Sequence, residues 1–311
     1  RSAERLRPPN RNSDKADISE QMQMRFAKYE GAGNDFILLD AIAEPFDEAA
    51  APALARALCD RRRSIGADGL MLVTRAEGDA DYRMRFYNSD GSLGEMCGNG
   101  ARCICRYGFE HGYAGSVQRV ETTAGLVTGW RIADDQYRIR LNTPAALELQ
   151  KPLDVDGRTY RCSYVELGDP GIPHLAVQTP DLAGQDEAAL RQLGRKLRYH
   201  PALPKGANVN FYELTGPDTV LEKTYERGVE DFTLACGTGT GAVVTVLTLL
   251  GKVSGRNVRV RMDGGELAVD AEAHDGRIEN LYLTGPAVLV CAGEILDKTI
   301  LDLIKKQEEK A

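Results

Sequence analysis

Two cysteines occur in the same short sequence pattern, and they are the residues of this chain best suited to chemistry. Cys97 is followed by Gly-Asn-Gly and Cys236 by Gly-Thr-Gly, and a stretch with helical character follows each. A cysteine at a helix N-terminus lies at the positive end of the helix dipole, among unpaired backbone N–H groups, so we expect its pKa to be lowered. The matched pair predicts an acid and a base that work together.

Two equivalent thiols suit the inversion of a tetrahedral carbon next to a carboxylate. One thiolate removes a proton from one face and one thiol returns a proton to the other. The backbone N–H groups of Gly98, Asn99, Gly237 and Thr238 would stabilise the charge that develops on the carboxylate, so no organic cofactor is required. A nucleophilic cysteine usually needs a histidine base, and none of the 4 histidines lies in a motif near either cysteine. The pattern favours proton transfer over nucleophilic attack.

The segments around the two cysteines follow one plan, which predicts two related domains. Gly125 lies 28 positions after Cys97, and Gly264 lies 28 positions after Cys236. The helix after Cys236 is apolar on every face and should be enclosed, while Arg102 and Arg106 in the other helix are expected to reach solvent. We predict an α+β fold with two pseudo-symmetric domains, each a curved, mainly antiparallel sheet wrapped around a central helix, the two helix N-termini facing one cleft.

Length and composition bound the organisation of the chain and its partners. The 311 residues are enough for two domains, and we predict a disordered leader (1–23), an N-terminal domain (24–143 plus 288–311) and a C-terminal domain (144–287). The net charge of −7 argues against nucleic-acid and anionic-membrane partners, and no apolar run approaches the length of a membrane span. The odd number of cysteines, 7 in all, indicates a reducing compartment, so we expect a cytoplasmic protein.

Seven motifs of the chain resemble, in order, those of the diaminopimelate epimerases. They are Gly31-Ala32-Gly33-Asn34-Asp35-Phe36, Gly66-Ala67-Asp68-Gly69, Asn88-Ser89-Asp90-Gly91-Ser92, Met96-Cys97-Gly98-Asn99-Gly100-Ala101-Arg102-Cys103, Gly206-Ala207-Asn208-Val209, Tyr225-Glu226-Arg227-Gly228 and Ala235-Cys236-Gly237-Thr238-Gly239. The resemblance covers about residues 24–294. That family interconverts LL- and meso-diaminopimelate without pyridoxal phosphate, in lysine and peptidoglycan synthesis, with two cysteines as acid and base.

The resemblance implies a role for each matching site residue. Cys97 and Cys236 would be the acid and base, and Glu226 would help to place the substrate ammonium group. The residues that would hold the carboxylate at the reacting centre are Gly98, Asn99, Gly237 and Thr238. Those that would bind the rest of the substrate are Asn34, Asn88, Asn208 and Arg227, with Arg227 the natural partner of the distal carboxylate. The resemblance implies a small amino-acid substrate, no cofactor and no metal, and is compatible with a homodimer.

One segment departs from the family pattern and keeps an alternative substrate open. The family commonly has Gly-Asn-Pro-His where this chain reads Gly168-Asp169-Pro170-Gly171-Ile172-Pro173-His174. An asparagine that helps to recognise the distal end of the substrate is therefore replaced by Ile172 or by Asp169. One alternative is a cofactor-independent racemase of another amino acid, for example histidine, on the same fold. A non-catalytic thiol or metal-binding protein is the other.

Overall fold

The computed structural model describes residues 24–94 and 97–308, so the predicted leader (1–23) lies outside the described residues. Strands predominate, and the helices are short. The first half contains β1 (Met24–Gly31), β2 (Asn34–Asp40), α1 (Ala51–Leu58), β3 (Gly69–Thr74), β4 (Tyr82–Asn88), α2 (Gly98–Glu110), β5 (Val117–Thr122), β6 (Gly125–Arg131) and β7 (Gln136–Leu141). The second half contains β8 (Pro144–Val155), β9 (Arg158–Leu167), β10 (Ile172–Gln178), α3 (Glu187–Arg198), β11 (Asn208–Gly216), β12 (Thr219–Tyr225), β13 (Phe232–Thr233), α4 (Gly237–Leu249), β14 (Val258–Met262), β15 (Gly265–His274), β16 (Arg277–Pro286), β17 (Val288–Ile295) and α5 (Lys298–Glu308).

Strand pairing repeats in the same order in the two halves. In the first half β1–β2, β3–β4 and β5–β6–β7 are antiparallel, whereas β2–β3 and β4–β5 are parallel. In the second half β9–β10, β11–β12 and β14–β15–β16 are antiparallel, whereas β10–β11 and β12–β14 are parallel. The predicted fold class, two pseudo-symmetric α+β units with mainly antiparallel sheets, is therefore confirmed.

The last strand returns to the first half of the molecule. β17 pairs with β1, as β8 pairs with β9 in the second half. The halves are joined by β7 and β16, which pair antiparallel from Leu141 opposite Leu281 to Gln136 opposite Pro286. The predicted domain boundaries at residues 143 and 287 stay a prediction.

Each sheet encloses one of the two helices that follow a cysteine. α4 contains only glycine, threonine and apolar residues, and its Ala242, Val243 and Val244 have no exposed surface, which confirms the predicted enclosure. The outer face of the first half is covered by α1 and α5, and that of the second half by α3. Because the sheets cover the sides of both central helices, the unpaired N–H groups at their N-termini are the parts best able to bind a ligand. Among the described residues, no helix combines the length and the apolar character needed to cross a membrane.

The predicted equivalence of Gly125 and Gly264 is wrong by one residue. In the hairpin of β5 and β6, Thr122 lies opposite Gly125, whereas in the hairpin of β14 and β15 Met262 lies opposite Gly265. Gly125 and Gly265 both have positive φ angles, of 104° and 138°, which a residue with a side chain rarely adopts. The second half therefore carries one more residue between its cysteine and this turn than the first.

Candidate active site

The two cysteines cap their helices in nearly the same conformation. Cys97 precedes α2 with φ −121° and ψ 119°, and Cys236 precedes α4 with φ −126° and ψ 101°. Both values are extended, as in a typical N-cap residue whose carbonyl accepts the first helical hydrogen bond. Here the donors are Ala101 N at 2.8 Å and Thr240 N at 2.9 Å. The shared Cys-Gly-polar-Gly sequence thus gives one local structure twice.

The N-termini of α2 and α4 meet at a pair of glycines. A Cβ atom built on Gly98 would lie 3.9 Å from Cα of Gly237, and one built on Gly237 would lie 3.7 Å from Cα of Gly98 and 2.8 Å from Cδ2 of Leu283. A side chain at Gly237 would therefore require Leu283 to move, and the two helix ends already lie within van der Waals distance of a Cβ atom. The positive ends of two helix dipoles therefore converge on one place, which favours a bound anionic group such as a carboxylate.

Burial, and not the helix dipole, dominates the acidity of the two thiols. It raises the pKa of Cys97, although the N–H groups of Gly100 and Asn99 act in the opposite direction. Burial also raises the pKa of Cys236, the carboxylate of Glu226 adds to the effect, and the N–H group of Gly239 opposes it. The expectation of lowered thiol pKa values is therefore wrong for the free protein, because desolvation disfavours the charged thiolate more than the dipole favours it.

The carboxylate of Glu226 affects both thiols. Its charge raises the pKa of both thiols, and burial raises its own pKa. It follows Tyr225 at the end of β12, whereas Cys97 and Cys236 begin the two central helices. A carboxylate whose charge acts on both thiols is suited to receive a cation that arrives with a substrate.

A chain of side-chain hydrogen bonds holds the first turn of α2. Asn99 Nδ2 donates to Oδ1 of Asn34 at 2.5 Å, and Asn34 Nδ2 donates to Oδ2 of Asp68 at 3.0 Å. Arg102 Nη2 donates to Oδ1 of Asn99 at 2.9 Å. The structure thus brings together Asn34 and Asn99, two of the residues predicted for substrate binding.

Arg102 does not reach solvent as predicted from the sequence. Its side chain has 0% exposure, and besides Asn99 it donates to the carbonyl groups of Gly98 at 3.3 Å and Pro286 at 3.2 Å. Arg106, one turn later, is partly exposed and pairs with Glu110. Sequence reasoning missed Arg102 as part of the site. The available signal was an arginine five positions after the cysteine, next to the apolar residues Ala101, Cys103 and Ile104.

The remaining predicted residues lie on loops and strand ends. Asn208 begins β11, and its Oδ1 accepts a hydrogen bond from the backbone N–H of Arg227 at 2.8 Å. The Arg227 side chain is exposed and donates to the carbonyl of Lys205 at 3.2 Å. Asn88 ends β4, is exposed, and donates to Oγ of Ser92 at 2.9 Å within its own turn. Asn208 and Arg227 are therefore neighbours, while the Asn88 side chain bonds within its own turn.

The strand register gives the position of Ile172 in the internal repeat. Ile172 begins β10 opposite Leu167, just as Asn34 begins β2 opposite Gly31. Asp169 lies before β10, in the turn that follows β9. Ile172 is thus the counterpart of Asn34 in the second half. An apolar side chain here cannot donate or accept a hydrogen bond.

The third residue of each central helix gives a direct test of how tightly the site is packed. A Cβ atom on Gly239 would overlap Oδ1 of Asn210 and lie 3.2 Å from Sγ of Cys236, whereas one on Gly100 would lie 3.2 Å from the flexible Met71 side chain. We expect Gly239→Ala to lower kcat by roughly 10²-fold through displacement of Cys236. Gly100→Ala is the matched control and should cost clearly less. Equal losses in steady-state assays of the two variants would contradict this asymmetry.

Comparison with known proteins gives a consistent result for most of the chain. Residues 26–146 and 168–290 match the family model described as diaminopimelate epimerase. A diaminopimelate epimerase of Archaeoglobus fulgidus is 38% identical over 284 residues, which cover 88% of this chain and 96% of that relative. One from Synechocystis is 35% identical over 88% of this chain and 99% of that relative. One from Aquifex aeolicus is 34% identical over 89% of this chain and 99% of that relative.

Solved structures share the fold at lower sequence identity. A hydroxyproline epimerase from Agrobacterium vitis superposes with a TM-score of 0.66 at 17% identity, covering 90% of this chain and 94% of that one. A methylitaconate-delta-isomerase superposes with a TM-score of 0.63 at 14% identity, with coverages of 91% and 98%. At these identities the likeness concerns the fold alone.

Proposed function

This chain belongs to the diaminopimelate epimerase family, and we propose that it interconverts LL- and meso-diaminopimelate by moving one α-proton between Cys97 and Cys236. It is an isomerase that acts on a small molecule. The observation that supports the mechanism is the close approach of the N-termini of α2 and α4 at Gly98 and Gly237, because a carboxylate bound there would have one capping cysteine on each side. A carbon held at that position presents one face to each thiol.

In the proposed reaction the two cysteines account for the proton that is removed and for the proton that is returned. The thiolate of one cysteine takes the α-proton, and the electron pair of the broken C–H bond moves into the neighbouring carboxylate. The thiol of the other cysteine then gives its proton to the opposite face of the same carbon. Thiolate and thiol have exchanged places, so the product complex is the starting complex of the reverse reaction.

The helix N-termini would supply the electrostatic part of catalysis. Backbone N–H groups of Gly98, Asn99, Gly237 and Thr238 are fixed at the positive ends of α2 and α4 and would stabilise the dianionic carboxylate that forms on deprotonation. These donors need no reorganisation during the reaction, because backbone hydrogen bonds already hold the first turns. No group other than the chain and its substrate takes part in the step.

Glu226 would couple substrate binding to thiol ionisation. In the free protein its charge raises the pKa of both cysteines. A substrate ammonium group bound next to Glu226 would cancel that contribution and add a positive charge of its own. The enzyme would then form its thiolate most readily when substrate is present, which limits unwanted reactions of the thiolate in the free enzyme.

The far end of the substrate would bind on the loops of both halves. Arg227 carries an exposed guanidinium group that suits the distal carboxylate, and Asn208 fixes the backbone of Arg227. Asn34 and Asn88 would complete this subsite from the first half.

We also propose that the enzyme is cytoplasmic, since its chemistry requires reduced thiols. We further propose that it forms a homodimer and has no nucleic-acid or membrane partners. Light scattering of the purified protein tests the homodimer.

Ile172 favours keeping one second candidate function. It stands where an asparagine would help to bind the distal end of diaminopimelate, so a racemase of another amino acid, for example histidine, would use the same two thiols with a more apolar distal subsite. The reaction at the α-carbon is the same in both cases. Only the preferred substrate differs.

Hydrogen exchange tests the proposed function directly. The purified chain is incubated in D₂O with LL-diaminopimelate, L-histidine or L-proline, and deuterium at the α-carbon and optical rotation are followed together. We expect exchange and epimerisation with diaminopimelate, without added pyridoxal phosphate. Faster exchange into another amino acid than into diaminopimelate would favour the second candidate. A chain that exchanges hydrogen into no amino acid would overturn both.

A further inference from the structure

The internal repeat allows the surroundings of the two thiols to be compared position by position. β2 pairs with β3 through Phe36 and Gly69, as β10 pairs with β11 through His174 and Asn208. Phe36 and His174 are therefore equivalent. Two residues further along β3 and β11, on the face that meets the central helix, lie Met71 and Asn210. The same correspondence extends to the following strand and to the first turn of the helix.

The layer behind Cys97 is apolar. Met71 lies opposite Phe86 and Val73 opposite Met84 in the register of β3 and β4, and all four side chains are buried. Phe36 and Phe86 pack edge to face with ring centroids 5.9 Å apart. Ala101, in the first turn of α2, completes this surface. Apart from the backbone, these residues offer Cys97 no hydrogen-bonding partner.

The corresponding layer behind Cys236 is polar and hydrogen-bonded. Asn210 lies opposite Thr224 and Tyr212 opposite Glu222 in the register of β11 and β12. Thr224 Oγ1 donates to Oδ1 of Asn210 at 3.0 Å, and Asn210 Nδ2 is 3.4 Å from Nδ1 of His174. Where the first half has Phe36, Met71, Phe86 and Met84, the second half thus has His174, Asn210, Thr224 and Glu222.

Glu222 is joined to the first turn of α4 by a threonine. Thr240 Oγ1 donates to Oε2 of Glu222 at 2.8 Å, and the backbone N–H of Thr240 donates to the carbonyl of Cys236 at 2.9 Å. Glu222 has 0% exposure, and Thr224 Oγ1 lies 3.4 Å from its other oxygen. The carboxyl group is therefore held behind the catalytic helix by hydroxyl groups.

The two thiols consequently have different ionisable groups buried behind them, a carboxyl group behind Cys236 and a guanidinium group behind Cys97. The charge of Glu222 raises the pKa of Cys236, whereas the guanidinium of Arg102 lowers that of Cys97. Arg102 lies one turn along α2, and Gly241 occupies the corresponding position of α4. The two cysteines have the same local sequence pattern, but the buried residues behind them differ in polarity and in charge.

We propose that Glu222, when ionised, is a positioning residue that, from its place behind α4 at Thr240, keeps Cys236 as the protonated member of the thiol pair, while Arg102 favours the thiolate at Cys97. This inference rests on the proposed function, since it assigns the base of the resting enzyme to Cys97 and the acid to Cys236. Catalysis that starts from the other epimer requires the opposite form, in which Cys236 is the thiolate.

The ionisation of Glu222 falls in the pH range in which thiols titrate. Burial raises the pKa of Glu222 to about 8, so a negative charge forms there as the pH rises through that value and opposes thiolate formation at Cys236. Two other titratable side chains near this cluster carry no charge at that pH, because burial lowers the pKa of His174 to about 3 and raises that of Tyr212. Glu226 also raises the pKa of Cys236, but it raises that of Cys97 as well and is left in place when Glu222 is replaced.

Thiol alkylation measures the proposed asymmetry without relying on activity. The protein is treated with iodoacetamide from pH 6 to pH 10, and initial rates at Cys97 and Cys236 are read from their separate peptides by mass spectrometry. We expect Glu222→Gln to move the Cys236 profile down by about one pH unit, which is roughly a tenfold faster reaction at pH 8 to 9. The Cys97 profile should not move. Comparing each cysteine with itself removes the difference in exposure between them.

Two further variants separate the proposed effect from general damage. Thr240→Val removes the hydroxyl that joins Glu222 to α4, so it should shift the Cys236 profile in the same direction, and it supplies the test if Glu222→Gln fails to fold. Glu213→Gln is the matched control, because this carboxylate on β11 accepts hydrogen bonds from the backbone of Asp181 and Leu182, away from the cluster. It should leave both profiles unchanged.

The outcomes distinguish this inference from the proposed function. An unchanged Cys236 profile in both Glu222→Gln and Thr240→Val, or equal shifts of Cys97 and Cys236, overturns the role of Glu222 whether or not the wild-type protein epimerises diaminopimelate. A wild-type protein that exchanges no amino acid, together with a shifted Cys236 profile, overturns the proposed function and leaves the thiol asymmetry standing.

Discussion

Replacing either Cys97 or Cys236 with serine is expected to lower kcat for epimerisation by at least about 10³-fold, because an alcohol is a far weaker acid than a thiol and cannot act as the base near neutral pH. Each variant keeps one working thiol. That thiol should still exchange the α-hydrogen of the epimer whose C–H bond faces it. The exchange, measured by NMR in D₂O, should therefore survive for one epimer in Cys97→Ser and for the other epimer in Cys236→Ser.

The stereochemical pattern makes this experiment specific for two bases. Loss of exchange with both epimers in both variants would indicate a folding defect or a mechanism in which the thiols act only together. Cys291→Ser is the control, since this cysteine is free and exposed on β17, and its replacement should leave kcat unchanged. A fully active Cys97→Ser enzyme would refute the assignment of the acid and base to this pair.

The repeat was readable from the sequence because its signal is local. Each Cys-Gly-polar-Gly turn specifies an extended cap followed by a helix without help from the rest of the molecule, and the structure has both. The apolar character of α4 on every face likewise required enclosure wherever the helix lay. The turn at Gly265 was assigned to Gly264 because equal spacing was taken for equal structure, and one inserted residue between helix and strand breaks that assumption.

The acidity of the thiols was not predictable from the same local signal. The helix dipole acts in the expected direction through the N–H groups of Gly100 and Gly239, but the desolvation that outweighs it depends on how completely both sheets close over the helices. Burial of Arg102 has the same origin. One of its acceptors, the carbonyl of Pro286, lies far along the chain, so the sequence around Arg102 does not show this hydrogen bond.

The cluster around Glu222 was missed for a topological reason. Val220, Glu222 and Thr224 alternate with Leu221 and Lys223, and a charged residue in such a strand is normally assigned to the solvent face. The pairing of β12 with β11 and β14 buries that face under α4 instead. Only the register shows that Glu222 takes the place that Met84 has in the first half.

Replacing Arg102 is expected to have the second large effect on activity, because this side chain both carries a charge and holds the turn that positions Cys97. It is buried, forms no ion pair with the acidic residues that the structure describes, and donates to Gly98, Asn99 and Pro286. In Arg102→Met the desolvated charge disappears, but two carbonyl groups and one amide oxygen lose their donor, and each buried acceptor left unpaired costs about 1–3 kcal/mol. These terms oppose one another, so we expect activity to fall more than stability.

The expected change in activity follows from what Arg102 holds. Its loss frees the carbonyl of Gly98 and the side chain of Asn99, both in the turn that places Cys97, and we expect kcat to fall by roughly 10²-fold in Arg102→Met. Removing the positive charge should also raise the pKa of Cys97, so that its alkylation profile moves to higher pH while that of Cys236 stays in place. Arg102→Lys keeps the charge and loses the planar fork of donors. It should therefore lower kcat without moving the Cys97 profile.

The neighbouring arginine gives the matched control for these two variants. Arg106 lies one turn further along α2, is partly exposed, pairs with Glu110 and donates to the carbonyl of Ala287 at 2.7 Å. Since a partly exposed ion pair contributes only about 0–1 kcal/mol, Arg106→Met should change denaturant stability little and leave both thiol profiles unchanged. If Arg102→Met and Arg106→Met behaved alike in kcat and in the Cys97 profile, Arg102 would be an ordinary packing residue. A shift confined to Cys97 in Arg102→Met, and to Cys236 in Glu222→Gln, would instead show that two nearly identical helix caps are given opposite chemical states by the residues behind them.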